Sequence, residues 1–301
     1  MDEHVRAHVG KQQAEWLRNF SEAKSSDFSL RESNGREILG KVLQDNTIPE
    51  QAIRDLLQAR SFCFPTAAVV SRNHGGHWDT KCRLCNAAVD TYAHRMMQCP
   101  HLHGAQHTMH DAIAQVLIQH LTDTLASQGP LPLTMEVYVA KRVDAIWPDC
   151  PKGIADFAPD GIIISDRQGA GKQPPRVIVF EFARSYTIEE DELLSVGAAK
   201  RNQYQSLVQY LRPQYPGHKV CCLSYIMSTL GIFPQHQWVQ NCESIGYTAP
   251  QIVKFQMTGI RECIMAGHQL NNTARSQFEA LWATGEPGLR RPSGFPRTGT
   301  G

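Results

Sequence analysis

The chain has 301 residues, 42% of them hydrophobic and 20% charged, and a formal net charge of +1. These proportions are those of a globular protein of one or two domains, long enough to bury a substantial core. A near-neutral charge gives no global attraction to nucleic acid, so any such contact falls to a local basic patch. No run reaches the ~18–20 apolar residues that span a bilayer, and the polar N-terminus lacks the apolar stretch of a secretory signal, so no membrane partner is expected. The nine cysteines are irregularly scattered and include the adjacent Cys221 and Cys222. They read as core residues or metal ligands in a reducing compartment, cytosolic or nuclear, and not as a disulfide framework.

Residues 1–60 read as helices. Apolar residues recur at helical intervals in VRAHVGKQQAEWLRNF (5–20) and in EQAIRDLLQA (50–59). The polar, turn-rich KSSDFSLRESNG (24–35) predicts a loop between them. The stretch 61–80 reads as irregular and contains SRNHGGHWD, where Arg72 is either a solvated loop arginine or a phosphate contact.

A cluster of metal-type ligands follows, spaced Cys82-x2-Cys85-x8-His94-x4-Cys99. A C-x2-C pair makes a tight knuckle that offers two thiolates to one ion. The later histidine and cysteine close the tetrahedron that zinc prefers, and with all four positions filled the expected ion is structural. His101, His103 and His107 are nearby substitutes for a ligand. Lys81, Arg83 and Arg95 lie beside the ligands and are candidates for contact with a phosphate backbone, or ordinary surface cations. An amphipathic helix is expected over about 104–127, ended by SQGPLP.

Past a mixed region, DGIIIS (160–165) and RVIVFEF (176–182) read as two strands joined through a Gly/Pro-rich turn, which makes an antiparallel hairpin. In a hairpin the start of the first strand lies beside the end of the second, so Asp160 and Glu181 can converge. Paired carboxylates supply hard oxygen ligands to Mg²⁺ or Mn²⁺. Asp160 sits in PDG, also an ordinary turn, whereas Glu181 inside an apolar run is costly to bury without a partner. Asp156 and Asp166 compete with Asp160 as ligands. The next helix is expected as one unit over 187–211, with a Thr187–Glu190 capping box and the acidic run Glu189–Glu192 at its positive end. Lys200 falls in the middle of its apolar stripe of Leu193, Val196, Leu207 and Leu211, with Tyr204 one turn on. Either Lys200 reaches toward the carboxylates or the helix is rotated to expose it. HKVCCLSYIMST (218–229) predicts a third strand, parallel to the second because a helical crossover precedes it. Helix is expected to about 283, followed by a disordered Gly/Pro-rich tail over 284–301. The fold class expected is α+β.

Pro159-Asp160, Glu181 and a helical Lys200 resemble the PD-(D/E)XK nuclease pattern. Together with the upstream C-x2-C…H-x4-C cluster, they resemble the restriction-like endonuclease region of site-specific non-LTR retrotransposon proteins. CRLC resembles that family's zinc knuckle, CPHLHGAQHTMHDAI the segment after it, and KRNQY its lysine-and-tyrosine helix. The likeness covers roughly residues 65–230. It implies a helical linker-like segment over 1–64, the knuckle and its following helix over 65–130, and a nuclease core over 131–283. In the family the endonuclease nicks target DNA, and the exposed 3′ end primes reverse transcription. Carried over, Asp160 and Glu181 bind Mg²⁺ or Mn²⁺, Lys200 is catalytic, Tyr204 supports it, and Cys82, Cys85, His94 and Cys99 hold zinc. The partners implied are DNA, element RNA and a separate or upstream reverse transcriptase, in the nucleus. Ala183 stands at the E-x-K lysine position, so catalysis depends on Lys200 from the helix. No Tyr-x-Asp-Asp polymerase signature is present, so the chain looks like a C-terminal fragment or a stand-alone relic. Two other readings stay open. One is a catalytically degenerate remnant that binds nucleic acid through the knuckle; the other is a zinc-stapled interaction protein.

Overall fold

The computed structural model describes residues 33–60, 64–73, 75, 79–127, 134–166, 174–187 and 189–283. The helix expected over 5–20 and the tail over 284–301 lie outside them. The fold is α+β, as expected. Its centre is a four-stranded sheet in the order β1-β2-β3-β4: β1 (Thr134–Val139), β2 (Gly161–Asp166), β3 (Arg176–Ser185) and β4 (Lys219–Ser228). β1 and β2, and β2 and β3, are antiparallel, while β3 and β4 run parallel. The hairpin and the parallel crossover are therefore as expected, and β1, which carries little apolar alternation, is an addition at the sheet edge.

β3 is buried along nearly its whole length because it lies between two strands and both of its faces are covered. On one face Ile162, Ile164, Val177 and Val179 pack with Tyr204, Leu207, Val208 and Leu211. These come from α8 (Gln205–Gln214) and from its junction with α7 (Glu190–Gln203). On the other face Ile163, Ile178, Phe180, Phe182, Leu223 and Tyr225 pack against the long helices α4 (His103–Ser127) and α10 (Ala249–Ala283) and against Trp238 of α9 (Gln235–Ser244). The alternation of side chains along β3 thus produces two apolar layers around one strand.

The helices α1 (Ser33–Leu43) and α2 (Glu50–Arg60) lie against α10. Ile38, Leu39, Val42, Ile53 and Leu56 belong to the same apolar cluster as Cys82, Met96, Cys99 and the inner sheet face. One continuous core therefore joins the stretches expected as linker, knuckle and nuclease core.

Several local expectations are corrected. Ser33, Asn34 and Gly35, read as the end of a loop, already belong to α1. The stretch read as irregular contains the short helix α3 (Ala67–Asn73), which places Arg72 on a helical turn. The Thr187–Glu190 capping box does not form the helix start. The N-cap of α7 is Glu189, whose N–H donates to Thr187 Oγ1 at 3.1 Å, and no side chain caps the helix there. The helix expected over 187–211 is broken at Tyr204 (φ −96°, ψ 9°) into α7 and α8, because its phenol is drawn under the sheet. Two short helices, α5 (Val143–Ile146) and α6 (Lys152–Ala155), fill the connection from β1 to β2.

α10 reaches the sheet where it has no side chain. A Cβ on Gly259 would lie 2.9 Å from Trp238 Cη2 and 3.0 Å from Met227 Cε. Trp238 is fully buried and cannot swing away. Gly259→Leu is expected to lower unfolding stability by about 1–3 kcal/mol through overpacking, measured by urea denaturation; an unchanged midpoint would show that α10 does not sit this close.

Candidate functional site

Two groups of chemistry-bearing side chains stand out. In the first, Sγ of Cys82, Cys85 and Cys99 and a ring nitrogen of His94 all lie within 4.8 Å of one another. The backbone folds back to bring them there. Cys82 N–H donates to Ala88 O at 2.7 Å, Asp90 N–H donates to Thr80 O at 2.7 Å, and Lys81 bridges Val89. Asn86 turns the knuckle at φ 52°, a left-handed conformation that asparagine tolerates. A short π turn (His94–Gln98) and a 3₁₀ turn (Pro100–Leu102) return His94 and Cys99. The Cys82–Cys99 sulfur separation is 3.9 Å and Cys85 Sγ to His94 Nε2 is 3.4 Å. With ligands about 2.0–2.3 Å from a tetrahedral ion, edges of about 3.5–3.8 Å follow, so the four atoms fit one metal ion.

Burial pushes the Cys82 thiol up to about 12 and raises that of Cys99. Burial acts the same way on Cys85, but the Ala87 and Ala88 amides outweigh it and lower the thiol. Burial also lowers His94, favouring the neutral imidazole that binds metal. His101, His103 and His107 are not ligands of this group; His103 and His107 face each other, Nε2 to Nε2, at 3.2 Å.

The basic residues around the knuckle divide. Lys81 is exposed and Arg83 half-buried, while Arg72 is exposed on α3. Arg95 does not face outward, and its expected role as a phosphate contact is corrected. Its Nε and Nη2 hold both oxygens of buried Asp90 at 2.7 and 2.6 Å, and its guanidinium lies over Phe64 and Phe278. Asp90 Oδ2 also accepts from Ala67 N–H at 2.7 Å. Arg95 therefore ties the knuckle to α3 and α10.

The second group lies at the other end of the β2–β3 hairpin from its turn. Gly161 pairs with Phe180, so Asp160 stands opposite Glu181 in register. Asp160 Oδ2 accepts from Phe182 N–H at 2.7 Å. Lys200 Nζ donates to Glu181 Oε1 at 2.6 Å, so of its two possible orientations the one toward the sheet is found. Glu181 is 5% exposed and its Oε2 is buried with no hydrogen-bond partner. Tyr204 is buried one turn past Lys200, its hydroxyl donating to Ala158 O at 3.5 Å. Burial, then the charge of Glu181, holds its phenol neutral. Ala183 is buried under α7 and offers nothing to the group.

Asp156 and Asp166 do not join it. Asp156 is exposed and paired to Arg142 at 2.6 Å, and Asp166 is bound to His218 at 2.6 Å beside the hairpin turn. A residue that spacing did not single out does join it. His110 of α4 has Nε2 3.0 Å from Phe182 O and 3.8 Å from Asp160 Oδ2. Nothing in a helical pattern distinguishes it from the other histidines of that segment.

Asp160 is raised from an ordinary 3.8 to about 6, by burial first and the Glu181 charge second, against the opposing charges of His110 and Lys200. Each carboxylate has one oxygen held by the protein, Asp160 Oδ2 by the Phe182 amide and Glu181 Oε1 by Lys200. Paired carboxylate oxygens are the hard donors that divalent cations take.

With its folded pKa above the unfolded one, Asp160 binds more proton in the fold between pH ~4 and ~6. Its contribution to stability therefore falls as pH rises through that window, by about 3 kcal/mol in total. Asp160→Asn keeps an acceptor for Phe182 N–H and removes the charge. Without divalent ions its Tm is expected to exceed that of the parent protein above pH 6, and the difference to shrink toward pH 4. A difference constant across pH 4–7 would contradict the buried like-charge pair.

Among the described residues no helix is long and apolar enough to cross a membrane. A scan against protein-family models finds no match for this chain, and a search of curated proteins finds none either.

Proposed function

We propose that the protein is a metal-dependent endonuclease that nicks DNA, with zinc in the Cys82–Cys85–His94–Cys99 cluster and Mg²⁺ or Mn²⁺ between Asp160 and Glu181. The observation that carries this reading is Lys200 Nζ at 2.6 Å from Glu181 Oε1, while Oε2 of the same carboxylate is buried without a hydrogen-bond partner beside Asp160. Two acids brought together beside a lysine in a buried setting suit a ligand still to be added.

The bound ion would polarise the scissile phosphate and lower the pKa of a coordinated water. Asp160 and Glu181 would hold it. Lys200, about one-third exposed, has an ammonium at the mouth of the group, where it would offset charge on the non-bridging phosphate oxygens. Tyr204, held neutral, would close the floor under Glu181 and keep water from its back. The resemblance to the restriction-like endonuclease region of non-LTR retrotransposon proteins supports the same chemistry and adds its context. That context is a nuclear DNA target, element RNA and a reverse transcriptase acting with this chain. Arg72, Lys81 and Arg83 are the outward candidates for the DNA backbone. Backbone contacts made by these cations would be salt-sensitive.

Purified full-length chain incubated with supercoiled plasmid and Mg²⁺ is expected to give nicked circles. Asp160→Ala should give none, and Lys200→Met should nick at least ~100-fold more slowly. Equal nicking by the parent and Asp160→Ala, or none by the parent, would sink the assignment; DNA retention without cleavage would instead mark a degenerate binding module. Metal analysis is expected to find one zinc per chain, and Cys82→Ser to lose it together with several degrees of Tm. Full folding stability after chelation would rule out a structural zinc.

A further inference from the structure

We infer that His110 is a positioning residue of the Asp160–Glu181 centre, through which the helix leaving the Cys/His cluster sets the geometry of the cation-binding carboxylates. The inference rests on the nuclease reading and goes beyond its residue set.

The geometry is specific. Phe182 O is an acceptor only, so at 3.0 Å His110 Nε2 must carry its hydrogen and donate it there. The same Nε2 lies 3.8 Å from Asp160 Oδ2, the oxygen that accepts from Phe182 N–H at 2.7 Å. His110 thus fixes the Phe182 main chain through its carbonyl, and the N–H of the same residue holds Asp160 Oδ2. The far nitrogen, Nδ1, is 3.2 Å from Asp111 Oδ1, so an acceptor faces each side of the ring. His110 and Phe182 rings pack with centroids 5.6 Å apart, which fixes the ring plane. Groups that hold a metal-binding carboxylate in place by hydrogen bonds typically cost about 10–100-fold in metal affinity when lost, and His110 reaches Asp160 through the Phe182 main chain.

His110 also sits where it can transmit position. α4 begins at His103, directly after the 3₁₀ turn that follows Cys99. At 1.5 Å per residue His110 stands about 10 Å up that helix. Ile118, one face further along α4, contacts Gly161 so closely that a Cβ there would lie 2.8 Å from its Cδ1. α4 therefore meets Gly161, next to Asp160, and Phe182, next to Glu181. Helix position, set at one end by the Cys/His cluster, becomes carboxylate position at the other.

The test uses full-length His110→Ala and His110→Gln, the amide of the latter being able to donate to Phe182 O. Plasmid nicking is measured as a function of Mg²⁺ concentration, and Mn²⁺ binding by electron paramagnetic resonance. His110→Ala is expected to raise the Mg²⁺ needed for half-maximal nicking, and the Mn²⁺ dissociation constant, by about 10-fold or more. The rate at saturating Mg²⁺ should change little, and His110→Gln should recover most of the affinity. An Mg²⁺ dependence unchanged in His110→Ala overturns the proposal, as does a rate loss that is equal at every Mg²⁺ concentration and not relieved by glutamine. A parent protein that neither nicks nor binds Mn²⁺ would remove the nuclease reading instead. The positional claim is then decided by thermal unfolding of His110→Ala, Asp160→Ala and the double variant. Tm losses that fail to add support the coupling, and losses that add overturn it.

Discussion

A charged carboxylate in the middle of a strand buried on both faces is the constraint on which this architecture turns. Glu181 stands in the run Val177–Phe182, every residue of which is buried. Removing such a charge from water is tolerable only with a partner of opposite sign. The helix that crosses over the sheet to make β4 parallel to β3 provides one in Lys200. α7 lies close on β4 because Gly197 has no side chain to hold it off: a Cβ there would lie 3.2 Å from Ile226 Cγ1. Ser224, the register neighbour of Glu181, donates to Gly197 O at 3.1 Å. Topology, helix seating and ion pairing are thus one arrangement.

The Cys/His cluster serves the same core from the other side. It is not an appended module: Cys82, Met96 and Cys99 are fully buried in the cluster that includes α1, α4, α10 and the sheet. The bidentate Arg95–Asp90 pair shows how such a small unit is docked. Its charges neutralise each other in place, and the flat guanidinium covers aromatic rings that would otherwise meet solvent. The same pairing removes from the outer surface a cation that sequence position would have assigned to it.

Most of the fold is locally consistent, with apolar strands, a knuckle turn that uses asparagine, and helices joined by short connections. Several departures meet at the Asp160–Glu181 group. Asp160 is pushed up by burial and by a like charge, Glu181 is half-satisfied, and Tyr204 breaks a helix to lie beneath them. Such local inconsistency is what a functional site would leave, and it supports the proposed nuclease reading.

Several features were determined by the sequence alone. The strands β2, β3 and β4 were legible because apolar, β-branched runs between turns have few other uses. The metal cluster was legible because C-x2-C with a later His and Cys has a strong stereochemical meaning, and Glu181 because a carboxylate in an apolar run demands an explanation. Periodicity put Lys200 on the apolar face of its helix but left its direction open, since a rotation of a few tens of degrees separates a buried ammonium from a solvated one. The tertiary structure decided that direction. It also drew Arg95 inward, excluded Asp156 and Asp166, broke the helix at Tyr204 and brought His110 to Asp160 from about fifty residues away in sequence. These outcomes depend on which elements pack together, and a one-dimensional pattern records a residue's face but not what lies opposite it.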